Sequence, residues 1–251
     1  MEVKTFDGKV WTQEEIIPKM YDDGFYYGYL GKNAMSSSSF KKCLDGYDVY
    51  VADRDKESDG KEPQALRDGR LIHLQALEPE RISELTVVDS TKGSNLFKNA
   101  VKEQNSAVVY TQREMKKCIP LADNVRKDFE AYCLLDGATM ETPAIQMVEG
   151  IPVRGKADIL RIDDNHIIDL KTTSDSSRFE QAIDHWSYDL QGALYLHLFN
   201  CTRFSFIILD KITGEVSTRE LSQEELKRGQ AKLTKAIKIF KDGKEKEQGE
   251  A

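Results

Sequence analysis

Cysteine is scarce. The chain of 251 residues has four (Cys43, Cys118, Cys133 and Cys201), with no CxxC pair and no short-spaced Cys/His cluster, so zinc and iron–sulfur binding lack a local signature. Isolated cysteines of this kind are expected as small core hydrophobes in a reducing compartment. Long apolar runs are missing too: no window nears the roughly 18 residues of a membrane span, and Met1-Glu2-Val3-Lys4 opens no signal-peptide apolar segment. The expectation is a soluble, cytoplasmic protein with no membrane partner. No Walker loop is present, which removes a nucleotide cofactor and any unwinding motor in this chain. Positive charge is in deficit, with 36 Lys and Arg against 43 Asp and Glu, a net charge of −7 and a pI near 5.3. Over the whole surface that balance disfavours a nucleic-acid partner, but it says nothing about any single groove. Aromatic residues are not lacking. Ten Tyr, ten Phe and two Trp argue against disorder despite only 39% hydrophobic and 31% charged residues. The length fits one large domain or two small ones.

Residues 1–34, rich in Gly and Tyr with four Tyr between Tyr21 and Tyr29, show no period and are expected as an arm on the body or on a neighbouring subunit. A serine of Ser36 to Ser39 can N-cap a helix running to about Ala52. Asp53 to Gln64 reads as a polar loop, Ala65 to Leu77 as a helix stopped by Pro79, and residues 80–110 as irregular. Thr111 with Glu114 forms a capping box ahead of apolar positions Met115, Ile119, Ala122, Val125, Phe129 and Cys133, with Pro120 expected to kink or split that helix. From Thr139 the period changes to that of strands. Glu141–Val148, Ile151–Ile162 and His166–Thr172, separated by short turns, read as a β-meander. One long amphipathic helix is expected over Arg178–Phe199, then strands at Cys201–Leu209 and Glu215–Glu220. A helix opened by the Ser222/Glu225 capping box runs to about Phe240, and a charged, frayed tail covers 241–251. The order predicts an α/β domain with a mixed sheet and a helical N-terminal elaboration.

The chemistry-bearing residues cluster in the meander. Asp169 and Lys171 share one face of the third strand, and a tight turn can set Asp158 of the second strand alongside Asp169. Two adjacent carboxylates repel unless one is protonated or a cation lies between them. Oxygen ligands of this hardness suit Mg²⁺ or Mn²⁺, and a neighbouring ammonium can orient water and stabilise phosphate charge. Metal-assisted phosphodiester hydrolysis is the chemistry implied. A D-x10-D-x-K string alone is more often a solvated strand edge with a weak surface ion pair. Three further features weigh against that. Gly155 precedes the acid, Thr172 and Thr173 follow the lysine, and Gln191 and Tyr195 fall four apart on one helix face that should pack on the sheet.

With these residues in view, the chain resembles the PD-(D/E)XK nucleases, within them the RecB-like group with a Q-x-x-x-Y motif, and most of all the phage-type RecE-like exonucleases. The likeness runs over Gly155-Lys156-Ala157-Asp158, Asp169-Leu170-Lys171-Thr172-Thr173, Arg178-Phe179 and Gln191-Gly192-Ala193-Leu194-Tyr195. Upstream it takes in Gly69-Arg70-Leu71-Ile72-His73 with Leu77-Glu78-Pro79-Glu80, and Met35 to Phe40 with Tyr47 and Tyr50. It covers about residues 35–210, with five motifs in order.

The resemblance implies a restriction-endonuclease-like core at 35–240, a mixed central sheet flanked by helices, between the N-terminal arm and the tail. It implies Asp158, Asp169 and the Leu170 carbonyl as ligands of Mg²⁺ or Mn²⁺, two ions in all, with His73 as a further ligand and Lys171 as catalytic lysine. Gln191 and Tyr195 would orient the DNA strand and support the metal site. Glu141 is a candidate additional acid. Ser36 and Ser38 are candidates for a terminal 5′-phosphate, while Arg70, Arg154, Thr172, Thr173 and Arg178 are candidate DNA contacts. Together with Lys41, Lys42, Arg67 and Lys156, the arginines could line a positive track. Only Cys201 follows the nuclease motifs, so no iron–sulfur cluster of the sort some relatives hold is expected. The implied activity is 5′→3′ digestion of linear double-stranded DNA in phage-type recombination, by a ring-like trimer or tetramer working with a single-strand annealing protein. An endonuclease, a single-strand-specific nuclease and a catalytically silent DNA-binding module are the rival readings.

Overall fold

Every element follows from a local signal or a packing demand, beginning at Glu2. A computed structural model describes residues 2–56, 62–104 and 108–249. A hairpin, β1 (Glu2–Lys4) and β2 (Val10–Thr12), leads into α1 (Gln13–Lys19) through a third capping box, Thr12 with Glu15. A single π-helical turn, Gly24–Tyr29, runs into α2 (Leu30–Asn33). Next come α3 (Ser37–Asp45), α4 (Tyr47–Arg54), α5 (Gln64–Leu77), a 3-10 turn at Pro79–Glu84, β3 (Thr86–Val88), α6 (Asn95–Glu103) and β4 (Val109–Thr111). The Thr111/Glu114 box then opens α7 (Gln112–Lys127), followed by α8 (Phe129–Leu135). The meander β5 (Thr139–Val148), β6 (Ile151–Arg161) and β7 (His166–Thr173) precedes α9 (Phe179–His185), α10 (Tyr188–Phe199), β8 (Arg203–Asp210), β9 (Val216–Glu220) and α11 (Gln223–Gly249).

The central sheet has five strands in the order β5-β6-β7-β8-β9, mixed in sense because β7 and β8 run parallel through α9 and α10. One face carries a core built with α3, α4, α10 and α11 (Phe40, Tyr50, Leu194, Leu198, Phe204, Phe206, Phe240). The other carries a core built with α5 and α7 (Leu71, Ile72, Val125, Ile159, Ile168, Leu170, Ile207). This is the expected α/β class, a mixed sheet flanked by helices.

Several local expectations change. The 1–34 arm is a folded layer rather than an irregular segment. Val3, Trp11, Ile16, Met20, Tyr26 and Leu30 enclose a small core with Ile145 of β5, and Gln13 Nε2 donates to the Ile145 carbonyl at 2.8 Å. It thereby covers the edge strand, which would otherwise present open backbone groups. The helix expected to Ala52 breaks at Gly46 into α3 and α4. Of the loop expected at Asp53–Gln64, residues 53–54 are helical and 57–61 lie outside the described residues. The stretch 80–110 contains β3, α6 and β4, with 105–107 outside the described residues. Pro120 does not split α7, which runs through it. The break comes at Asp128, whose side chain caps α8, and it leaves Phe129 79% exposed and Cys133 exposed rather than in the core. Arg178–Phe199 is likewise two helices, parted at Ser187 with φ of 51°. The tail is not frayed over 241–249. It continues α11, pinned by Lys241–Glu149 at 2.8 Å and Tyr47–Glu247 at 2.5 Å, while 250–251 lie outside the described residues.

Helices α10 and α11 touch backbone to backbone. A Cβ on Gly229 would lie 2.0 Å from the Asp189 carbonyl oxygen, an atom that cannot swing aside. Gly229→Ala is therefore expected to lower stability by about 3 kcal/mol, the upper range for overpacking, read as a lower urea midpoint at unchanged slope. An unchanged midpoint would disprove this contact.

Candidate functional site

The ladder between β6 and β7 ends with Ile159 paired to Ile168. One step further the same register sets Asp158 opposite Asp169, but there the strands part. β6 continues with β5 and β7 with β8. The Leu170 backbone N–H, freed from the ladder, donates to Asp158 Oδ2 at 2.9 Å. The parting also reverses the in–out alternation. On β6, Val153 and Ala157 face the α10 side while Ile159 faces the α5 side, and on β5 Ala144 and Val148 differ from Met140 in the same way. Glu141, directly across from Asp158 in this register, sits at the reversal with φ of 49°, a left-handed conformation that is costly for a non-glycine residue inside a strand.

Three side chains converge here. His73 of α5, Glu141 and Asp158 offer ligand atoms within 4.8 Å of one another, and His73 Nδ1 stands 3.5 Å from Asp158 Oδ2. Burial, with Asp169 as the next contributor, raises Asp158 to about 6. Burial, with Asp158 next, raises Glu141 to about 8. Asp169 lies deeper. Its Oδ1 accepts from Gln191 Nε2 at 2.6 Å. Its Oδ2, buried 2.7 Å from Lys171 Nζ, receives no well-directed hydrogen bond among the described residues. Burial opposes charge on Lys171, but Asp169 and Asp158 outweigh it and hold the ammonium above the usual lysine range. Lys171 also donates to Gln191 Oε1 at 3.3 Å, so one buried amide braces both members of the pair. A buried carboxylate whose Oδ2 is met only by the Lys171 ammonium, next to a His/Glu/Asp trio, is a donor set that fits a hard divalent cation.

Other expected residues fall in different places. Gln191 reaches the acids directly, whereas Tyr195 lies behind β6, buried against Gly155, where a Cβ would come within 3.1 Å of its ring. It props the strand and faces no solvent groove, which corrects its expected contact with DNA. Gly69 makes room for β7 rather than for a metal, since a Cβ there would sit 3.3 Å from Thr172 Oγ1. Leu170 serves the site through its N–H, and its side chain is core. Ser36 Oγ accepts from the Ser39 amide, caps α3 and lies 2.8 Å from Ser38 Oγ. Thr173 closes a turn with Asp175, and Arg178 is exposed and paired with Asp175 at 3.1 Å. Arg70 pairs with Glu62. Two members of the expected positive track are structural: Arg154 is 7% exposed, donates to the Leu30 carbonyl and stacks on Tyr26, while Arg67 is buried against Glu114.

Sequence spacing did not single out Tyr188, at the start of α10. Its ring meets two ammonium groups, Lys171 at 4.9 Å and Lys41 at 5.1 Å from the centroid. Burial and the charge of Lys171 lower Lys41 to about 7. No local pattern links a lysine on α3 to one on β7, and only the packing of α3 on α10 brings them together.

Because the raised acids hold protons that a cation must displace, Mn²⁺ affinity is expected to rise between about pH 5 and pH 8. Binding near pH 7 should release protons. Calorimetry in buffers of different ionisation enthalpy measures both. Glu141→Gln should reduce the proton release and weaken binding by about tenfold, within the range known for groups that tune a metal site. A pH-independent affinity would exclude these ligands.

Comparison with known proteins bears on the fold and the family. No curated protein matches the chain. Among solved structures, one described as "Putative exonuclease" from Eubacterium rectale aligns with a TM-score of 0.64 at 15% identity, covering 94% of this chain and 88% of that one, which establishes a shared fold. A phage related exonuclease from Haemophilus somnus 129PT aligns at 13% identity over 82% of this chain and 93% of that one, with a TM-score of 0.37 that carries no argument. A family model described as a PDDEXK-like domain of unknown function, DUF3799, matches residues 36–248, a span that holds all the acids, His73, Lys171 and Gln191. With most of its length inside that match, the chain belongs to the PDDEXK-like DUF3799 family.

Proposed function

We propose that the protein is a metal-dependent nuclease, and more narrowly a 5′→3′ exonuclease that digests the ends of linear double-stranded DNA. The observation that carries the nuclease reading is the convergence of His73, Glu141 and Asp158 within 4.8 Å beside the Asp169–Lys171 pair. Nothing in simple folding favours this many carboxylates at the point where two strands part, since burying charge without a partner is costly. The narrower reading draws its support from the motif resemblance alone, as do the role in recombination, the ring-like trimer or tetramer and the annealing partner.

His73, Glu141, Asp158 and Asp169, with the Leu170 carbonyl, are the groups that would hold Mg²⁺ or Mn²⁺, one ion or two. Such an ion, when bound, supplies Lewis-acid activation of water and neutralises phosphate charge. The protein's own residues do the rest. Lys171, kept as an ammonium by Asp169, places positive charge where the phosphate gains negative charge, and it is not poised to take a proton. Gln191 fixes Asp169 and Lys171 in one geometry through its two polar atoms. Lys41, which shares the Tyr188 ring with Lys171, adds a second cation near the pair.

The test is a time course on linear duplex with Mg²⁺, labelled at the 5′ or the 3′ end in separate reactions, with a covalently closed circle as control. Early release of the 5′ label and an intact circle are expected. A cleaved circle would instead favour an endonuclease. Lys171→Ala should keep the fold and lower the rate by about 10³-fold, the scale for losing one positioned electrostatic group. Full activity in that variant would refute the role of the lysine. Binding of the duplex should weaken steeply with salt despite the low pI, and a flat salt titration would count against contact with the phosphates.

A further inference from the structure

Ahead of the matched span, which begins at residue 36, the π-helical turn Gly24–Tyr29 packs on β6 through Arg154 and Lys156. The Asp22 carboxylate accepts from the Phe25 amide at 2.7 Å and its carbonyl from the Tyr26 amide at 2.8 Å, which fixes the start of the turn. Tyr26 points inward, with the Arg154 guanidinium 4.3 Å and Lys156 Nζ 4.7 Å from its ring. Tyr27 stands edge-on to Tyr26, centroids 4.9 Å apart at 84°, with Lys156 Nζ 5.6 Å from its own ring. Lys156 is also held by Asp23 at 3.3 Å. Tyr27 is nevertheless 64% exposed. Lys156 precedes Asp158 by two residues on β6, roughly 7 Å of strand.

An exposed aromatic ring braced by a second ring and by a cation two residues along β6 from Asp158 has the makings of a stacking surface. Tyrosine has few rotamers to lose, and here its buried neighbours already hold it. Every nucleobase has a π-face, so such a platform accepts any sequence. A π-helical turn is an uncommon backbone choice that tends to occur at functional sites.

We propose that Tyr27 is a base-stacking subsite, on which a nucleobase of the DNA strand next to the phosphate at the acid cluster rests, with Lys156 beneath the ring as its charged support. The subsite deepens the nuclease reading and rests on it. It lies outside the family-matched span, and so is a property of this chain's N-terminal layer.

The test uses single-stranded oligonucleotides carrying 2-aminopurine at successive positions, titrated with Lys171→Ala protein and Mg²⁺ so that no cleavage intervenes. One position is expected to be quenched. Adding Tyr27→Ala should abolish that quench and weaken affinity about tenfold, the scale of one base–aromatic stack. Tyr27→Trp should restore both, with melting temperature and molar mass unchanged throughout. Equal quenching and affinity with and without the ring would overturn the proposal. So would a changed molar mass in Tyr27→Ala with the quench retained, which would assign the ring to a subunit contact. Absence of oligonucleotide binding in all variants would overturn it as well. Digestion by the unmutated protein is measured separately. Quenching without digestion would sink the nuclease reading and leave the stacking surface standing.

Discussion

Where β6 and β7 separate, three carboxylates are forced into one small volume, and most of the surrounding architecture acts to make that tolerable. Asp158 and Asp169 face each other across the first unpaired step of the ladder, and Glu141 approaches from the other side of β6. Their repulsion is offset by the Leu170 amide on Asp158, by Gln191 and Lys171 on Asp169, and by His73 within reach of Asp158. The compensation is incomplete, as the raised Asp158 and Glu141 attest. A site left short of positive charge in this way is one that gains from binding a cation.

The helices that deliver the compensating groups are themselves held rigidly. α10 is buried along most of its length, and its Asp189, fully buried, takes Arg228 at 2.5 Å and Lys232 at 2.9 Å from α11. That anchorage sets the depth of Gln191 against β7. On the opposite face α5 is tied to α7 by Arg67–Glu114 at 2.9 Å and Lys117–Asp68 at 2.6 Å, with Lys92 joining Glu114 at 2.8 Å. Hydrogen bonds from Arg67, Lys92 and the Thr111 amide outweigh the burial of Glu114 and hold it well below the usual carboxylate range. Breaking such a buried pair by removing one partner costs about 3–5 kcal/mol. His73 therefore hangs from a helix whose position is not free to drift. The N-terminal layer adds a third support, since Arg154 and Lys156 on β6 are engaged by Tyr26 and Asp23 rather than by solvent.

Much of this was legible from spacing. The capping boxes at Thr111 and Ser222 opened helices, and the turns at Glu149-Gly150 and Asp163-Asp164-Asn165 delivered a meander with nearly the expected limits. The trio of Asp158, Asp169 and Lys171 could be read because strand alternation and a short turn are local rules. Those rules failed where packing overrode them. Residues 80–110 hold short strands whose partners lie some twenty residues away, so no window contains both halves of the pattern. Asp128 rather than Pro120 ends α7, because α7 runs on through the proline while the capping aspartate starts a new helix.

By itself the sequence determined which chemical groups were available and which of them shared a strand face: two aspartates and a lysine in a meander, an amide on the following helix, a histidine upstream. The tertiary structure alone decided which of them meet. It turned Glu141 into the cluster by reversing the alternation of β5. It withdrew Arg154, Arg67 and Tyr195 into structural roles, and it set Lys41 and Lys171 on the one Tyr188 ring. The reason is range. Periodicity and capping act over one or two turns of chain. The divergence of two strands and the depth of a buried helix are settled by close packing among elements far apart in sequence.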